Sequence, residues 1–188
     1  EVEVKIGEND EILLRGKSIT EGYFNRPEIN EQSFIDGWFR TGDAGYLTKE
    51  GRLVIRERIK ELFKTSNGKY VAPQQVEGKL LLDKYIEQAA IVADQRKFVS
   101  ALIVPAMPTL KAYAESAKIS FSSDEELLQN PKIISFYEGR IQQAQKELAP
   151  FEQVKKFKLL STPFSIDNDE LTPTLKLKRK IISMHYAD

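Results

Sequence analysis

The sequence predicts an α+β fold in two parts, a β-rich segment over residues 1–57 and a mixed region over 58–188 with flanking helices. Two observations carry this. Up to Ile55 the apolar residues fall in short runs and period-two alternations separated by Gly- and Pro-containing turns, which is strand patterning. Beyond Arg58, a hairpin gives way to longer segments with helical spacing and proline-led starts, in the order β-β-α-β-β-α-α-α-β.

In the first part, Val2, Val4 and Ile6 alternate, Ile12–Leu14 reads as a strand, and a Gly-Tyr and Arg-Pro turn region follows. Trp38-Phe39 opens another strand, and Gly45–Leu47 and Leu53–Ile55 pair around the Lys49-Glu50-Gly51 turn. So short a stretch of β structure buries little core of its own. It is expected to be the tail of a larger domain and to expose apolar side chains, with Trp38 and Phe39 as the candidates.

The second part opens with a hairpin, Glu61–Thr65 and Lys69–Val71, around Ser66-Asn67-Gly68, since Asn-Gly is a strong hairpin turn. Pro73 suits the first position of a helix whose apolar face is Val76, Leu80 and Leu81. Ile86–Ala93 and Phe98–Pro105 form a strand pair, and the unbroken Ala-Leu-Ile-Val run of the second suits a buried strand. Helices are predicted at about 108–118, 123–128 and 131–148, with Asn130-Pro131 dividing the last two and Pro150 ending the third. Phe157–Leu160 is then a strand, and residues 165–175 are a loop before a basic terminal segment. In an extended terminal segment Lys176 and Lys178 lie on one side, about 7 Å apart.

Lys+Arg and Asp+Glu are both 28, so the charge balance gives no argument for nucleic acid or an anionic surface. With 0 cysteines, disulfides, thiolate catalysis and cysteine-ligated zinc are excluded. The single histidine, His185, sits three residues from the end, where a frayed terminus is expected, so a Ser-His-Asp triad or multi-histidine metal site is not expected. No apolar run approaches the roughly 20 residues of a membrane span. A soluble, cytoplasmic protein is expected, with peripheral membrane contact left open. The chain begins without methionine, and this reads as a cut from something longer.

The most informative stretch is Gly37-Trp-Phe-Arg-Thr-Gly-Asp43-Ala-Gly45 followed by Gly51-Arg-Leu-Val-Ile-Arg-Glu-Arg58-Ile-Lys60, which sets a carboxylate and an arginine across a short hairpin. A carboxylate in a Gly-flanked turn can accept hydrogen bonds from two neighbouring hydroxyls, and arginine is a permanently charged, multi-pronged donor. Thr-Gly-Asp alone is equally an ordinary turn. Four further motifs stand in order around it: Glu11–Gly16 with Glu21-Gly-Tyr-Phe-Asn-Arg-Pro-Glu28 upstream, then Arg58-Ile59-Lys60, Asn67-Gly-Lys-Tyr-Val-Ala-Pro-Gln-Gln-Val-Glu77 and Leu171-Thr-Pro-Thr-Leu-Lys-Leu-Lys-Arg179. Together they resemble the adenylate-forming superfamily of acyl-CoA synthetases, luciferases and peptide-synthetase adenylation domains.

The resemblance implies that residues 1–57 end a large nucleotide-binding domain and that 58–188 form the mobile C-terminal lid domain, with its hinge at 58–60. Asp43 and Arg58 would bind nucleotide, Lys60 would be the pivot, and Gly68 would line the pantetheine channel. The terminal loop takes the form seen in long-chain fatty acyl-CoA synthetases, which places the catalytic lysine at Lys178, although Lys176-Leu177 replaces the commoner Ser-Gly before it. A lysine suits the role because it stabilises charge developing between a carboxylate and the α-phosphate without exchanging a proton. Gln75 stands where the family usually has glutamate.

The implied function is the C-terminal part of an ATP-dependent fatty acid–CoA ligase that makes acyl-AMP and then acyl-CoA, inactive without the phosphate loop and acyl pocket expected upstream. ATP, Mg2+ and coenzyme A are the implied cofactors. The partners are a fatty acid and the missing N-terminal domain, with no nucleic acid and no transmembrane segment. Two alternatives stand beside it: loading of a carrier-protein pantetheine, and a non-catalytic module that binds a partner or nucleotide.

Overall fold

A computed structural model describes residues 2–59 and 62–187, which fall into two units, Glu1–Leu62 and Phe63–Asp188. The first unit is an antiparallel sheet organised on one long strand. Its elements are β1 (Val2–Ile6), β2 (Glu11–Gly16), helix α1 (Pro27–Ser33), β3 (Phe34–Ile35), β4 (Trp38–Leu47) and β5 (Leu53–Arg58). The order is β1-β2-β4-β3, with β5 also pairing β4. Register places Leu13 opposite Arg40, Ile35 opposite Trp38, and Asp43 opposite Arg58.

Little core belongs to this unit: Ile12, Leu13 and Ala44 are its buried apolar residues among those described. Apolar side chains are exposed here, but they are not the expected ones. Phe24 is 98% exposed and Ile55 65%, whereas Trp38 and Phe39 are half-buried. Arg15 and Lys5 lie over the Trp38 ring at 4.5 and 5.8 Å from its centroid, and Phe39 meets Phe34 at 5.4 Å. Their aliphatic stems and the neighbouring ring remove the indole and phenyl from water. Helix α1 was not expected either. Pro27 is preset for a first helical turn, and Asn30 closes the preceding loop by accepting the Tyr23 N–H at 2.7 Å and donating to the Tyr23 carbonyl at 3.0 Å.

The second unit contains β6 (Phe63–Lys64), β7 (Tyr70–Val71), α2 (Pro73–Leu80), β8 (Ile86–Val92), β9 (Val99–Pro105), α3 (Met107–Ser116), α4 (Asp124–Gln129), α5 (Pro131–Ala144), β10 (Val154–Leu159) and α6 (Arg179–His185). Strands β6 and β7 make a two-stranded ribbon, and the main sheet runs β10-β9-β8, parallel on one side of β9 and antiparallel on the other. Asn130 both ends α4 and caps α5, its Oδ1 accepting the Lys132 N–H at 2.9 Å ahead of Pro131. Helix α5 stops at Ala144, earlier than its pattern suggests, because the buried Gln145 turns its amide onto Val154. Its Oε1 accepts the Val154 N–H at 2.7 Å and its Nε2 donates to the Val154 carbonyl at 3.2 Å.

Central strand β9 is buried on both faces. Val99, Ala101 and Ile103 pack with Ala89 and Ile91 of β8 against Val76 and Leu80 of α2, Leu110 of α3, and Ile133, Tyr137 and Ile141 of α5. Leu102 and Val104 instead join Ala90, Leu160, Phe164, Leu171 and Ile182. Ile182 belongs to α6, so the segment expected to fray is a helix held by a core contact. His185 lies in that helix, with Nδ1 3.1 Å from the buried Glu170 carboxylate. Among the described residues no helix is long and apolar enough to cross a membrane.

Because Ile103 is fully buried at the centre of this double-sided sheet, Ile103→Ala removes transfer energy and leaves a cavity on the α2/α3/α5 side. A loss of about 2–5 kcal/mol is expected. It would be read as a lower urea midpoint at unchanged m-value for the second unit.

Candidate nucleotide and lysine-loop sites

In the first unit Asp43 and Arg58 are cross-strand partners where β4 departs from regular pairing between Ala44 and Gly45. Arg58 Nε lies 3.2 Å from Asp43 Oδ1. Among the described residues Asp43 Oδ2 makes no hydrogen bond, and the arginine is mostly exposed. The arginine side chain is 63% exposed and the aspartate 31%, so solvent reaches both. Such a pair offers an acceptor for hydroxyls and a donor fork for an oxygen-rich ligand.

What fixes Asp43 was not visible in the motif. Its N–H donates to Thr41 Oγ1 at 3.1 Å, and that hydroxyl donates to the Ile12 carbonyl at 2.7 Å. Gly42 has φ +73°, which favours glycine. Its N–H donates to Glu11 Oε1 at 3.1 Å. Glu11 is only 6% exposed and also takes Arg40, with Nε at 2.9 Å and Nη2 at 2.8 Å from Oε2. The carboxylate on β2 thus pins the turn that carries Asp43. Gly45 has a separate reason to be glycine, since a Cβ there would lie 2.3 Å from the Val54 carbonyl oxygen.

Lys60, the expected pivot, lies outside the described residues. In the second unit Gly68 occupies the β6–β7 turn with φ +75°. Its N–H donates to the Thr65 carbonyl at 2.8 Å, and the Thr65 N–H donates to the Lys69 carbonyl at 2.9 Å. A Cβ at Gly68 would meet nothing within 4 Å, so backbone conformation, not crowding within the unit, requires the glycine.

The terminal loop is a small hairpin instead of a simple extended tail. Leu171 bridges Leu177, the Thr172 N–H donates to the Lys176 carbonyl at 2.8 Å, and the Lys178 N–H donates to the Glu170 carbonyl at 2.8 Å. Thr172 shapes the turn, its Oγ1 accepting the Lys176 N–H at 3.0 Å and lying 3.0 Å from Thr174 Oγ1. Leu175 takes φ +61° to close it. The Thr-Pro-Thr sequence therefore has a mechanical meaning that its hydroxyls and proline could have signalled.

The two lysines of the loop differ. Lys178 immediately precedes α6 and pairs through Nζ with Asp169 Oδ1. Lys176 is exposed on the hairpin and has no ion pair among the described residues. Immediately after Lys178, Arg179 makes a bidentate bridge to Glu77 of α2. That arginine–glutamate contact spans most of the unit's sequence, and no local pattern announced it.

The chain was compared with known proteins. The AMP-binding enzyme C-terminal domain model matches residues 60–188. A long-chain-fatty-acid–CoA ligase of Mycobacterium tuberculosis is 34% identical over 185 residues, covering 98% of this chain and 31% of the relative. Long-chain-fatty-acid–CoA ligase 1 of Schizosaccharomyces pombe is 39% identical, over 92% of this chain and 26% of its own. The chain thus spans about a third or less of the curated relatives it matches. Among solved structures, the o-succinylbenzoate coenzyme A synthetase of Bacillus subtilis, in complex with its acyl-adenylate intermediate, superposes with TM-score 0.64 at 26% identity, over 95% of this chain and 33% of that one. The adenylation domain of a carboxylate reductase from Mycobacterium chelonae shares the fold, with TM-score 0.73 at 24% identity over 94% of this chain and 26% of that chain. On the model match and these relatives, the chain belongs to the AMP-binding enzyme C-terminal domain family of the adenylate-forming superfamily, and its α+β second unit is that family's small C-terminal domain.

Proposed function

We propose that this chain is the C-terminal part of an ATP-dependent fatty acid–CoA ligase, with residues 58–188 as its mobile lid and the hinge at 58–60. The observation that carries the reading is the Asp43–Arg58 pair, held on a hydrogen-bonded turn with Asp43 Oδ2 unpartnered among the described residues, in a chain whose relatives are long-chain-fatty-acid–CoA ligases. In the first half-reaction a fatty carboxylate oxygen attacks the α-phosphate of ATP, giving acyl-AMP and pyrophosphate. In the second, the thiol of coenzyme A attacks the acyl carbon, and AMP leaves.

Within this scheme Asp43 accepts hydrogen bonds from the ribose hydroxyls, and Arg58 fixes the carboxylate and adds a positive charge beside the nucleotide. Lys60 is the residue whose backbone turns between the two half-reactions, since hinges are a few element-end residues that absorb the change. The Gly68 turn borders the pantetheine path. Magnesium enters with the ATP phosphates as part of the substrate; among the described residues no three of His, Asp and Glu converge to hold it. Both the cytoplasmic setting and the coenzyme A acceptor are part of this proposal.

The sequence resemblance gives the adenylation charge to Lys178, and the geometry gives Lys176 the stronger claim. Lys178 sits beside the helix start, where the macrodipole is unfavourable to a cation, and Asp169 compensates it. Using it would mean giving up that contact. Lys176 is exposed on the hairpin and has no ion pair to break among the described residues. We therefore assign the charge to Lys176 and a loop-anchoring role to Lys178.

Asp43 binds groups that do not change during the chemistry, so its loss acts mainly on substrate affinity. In the full-length protein Asp43→Ala is expected to raise the Michaelis constant for ATP by the equivalent of about 1.5–3 kcal/mol. An unchanged ATP dependence in steady-state kinetics would return Asp43 to an ordinary turn residue. No ligase activity in the unaltered full-length protein, with coenzyme A or a pantetheinylated carrier as acceptor, would favour a binding module.

Lys176→Ala is expected to slow acyl-adenylate formation by about 10²-fold or more while leaving transfer from supplied acyl-AMP near normal. Lys178→Ala should do much less. Pyrophosphate release and thioester formation, measured separately, decide it, and the opposite ranking would return the charge to Lys178.

A further inference from the structure

Glu77 is a carboxylate with 5% exposure, on the inner face of α2. Its Oε1 accepts the Ile91 N–H of β8 at 2.8 Å, and its two oxygens take Nη1 and Nη2 of Arg179, the second at 2.8 Å. Arg179 is itself largely buried, more so than Lys178 beside it. One carboxylate therefore ties together α2, the middle of the main sheet and the residue at which the lysine hairpin ends. A guanidinium fork engaged at both prongs fixes orientation as well as distance, which a single ammonium cannot do.

The hairpin's other restraints are its own backbone pairing and apolar contacts at its ends, where Leu171 and Ile182 are buried. Leu177 is half-buried against the smaller core cluster, and the Asp169–Lys178 pair is exposed on the carboxylate side. Its tip, Pro173–Leu175, is exposed. The Glu77–Arg179 contact is the buried, two-pronged anchor of the segment.

We propose that Arg179, held by Glu77, is a positioning residue that fixes where the lysine hairpin stands on the second unit. The proposal rests on the reading of that hairpin as the source of the adenylation charge. Its consequence is step-specific: misplacing the hairpin harms the half-reaction that uses the lysine and spares the one that does not, since small displacements of a catalytic group are costly in rate.

Arg179→Lys keeps the charge and loses the fork, and Glu77→Gln keeps an acceptor for Ile91 and loses the charge. In the full-length ligase each is expected to slow adenylate formation about tenfold or more, with transfer of supplied acyl-AMP to coenzyme A held within about twofold. In the 188-residue chain, amide exchange at Lys176 and Lys178 should accelerate in both variants while the β9 amides keep their protection. Equal losses in the two half-reactions, unaltered hairpin exchange, or loss of β9 protection would each overturn the proposal and leave an ordinary structural ion pair. If the unaltered full-length protein shows no ligase activity, the functional reading fails, and the exchange measurement alone decides whether the clamp holds the hairpin.

Discussion

Strand β9 has no polar face, and most of the second unit follows from that. A strand buried on one side can leave the other to water; one reading Val-Ser-Ala-Leu-Ile-Val-Pro must be covered twice. Helices α2, α3 and α5 cover the first face with the larger apolar cluster. The second face needs Leu160, Phe164, Leu171 and Ile182, all from the last thirty or so residues, and closing over it draws the terminal chain back across the sheet. The lysine hairpin lies between Leu171 and Ile182. Apolar burial thus brings both ends of the hairpin back to the sheet, since both are core residues, and leaves its exact stance to polar contacts.

Burial fixes the position of the segments, and three buried carboxylates fix their orientation. Glu11 holds the Gly42 N–H and Arg40, Glu77 holds the Ile91 N–H and Arg179, and Glu170 faces His185. A carboxylate removed from water is tolerated only when donors replace its hydration, and losing a partner costs more than the pair contributes. Each is therefore a junction whose partners come from different elements. The first stands under the turn that carries Asp43, and the other two stand at the ends of the lysine hairpin.

These junctions explain what could be read from the sequence and what could not. The β8–β9 pair, the Pro73 start and the Asn130-Pro131 break were legible because turn and capping chemistry is local. The Asp43–Arg58 pair was legible because a short hairpin fixes its own register. Helix α6 was missed because Lys-Arg-Lys-Ile-Ile has weak periodicity and becomes helical through Ile182 reaching a core formed far upstream. Trp38 was expected exposed because an apolar ring on a small sheet has no local cover, while Lys5 and Arg15 arrive from other strands. Glu77 belongs to a motif that was noticed, yet its partner lies 102 positions away. Long-range pairing of this kind leaves no trace in spacing.

The same geometry separates two demands on a terminal loop that are hard to satisfy with one residue. A charge that must meet a ligand has to be long, exposed and uncommitted, because any ion pair it makes at rest must be broken first. A loop that must present that charge at a fixed place needs the reverse: a buried, fully engaged anchor close in sequence. Here Lys176 is exposed with no ion pair among the described residues, and Arg179 is largely buried and engaged at both prongs, with only Leu177 and Lys178 between them. Leu177 turns inward to the small core while Lys178 is neutralised by Asp169. The basic run at the chain's end is therefore not a uniform patch of charge, because Lys178 is paired with Asp169 and Arg179 with Glu77, while Lys176 has no ion pair among the described residues.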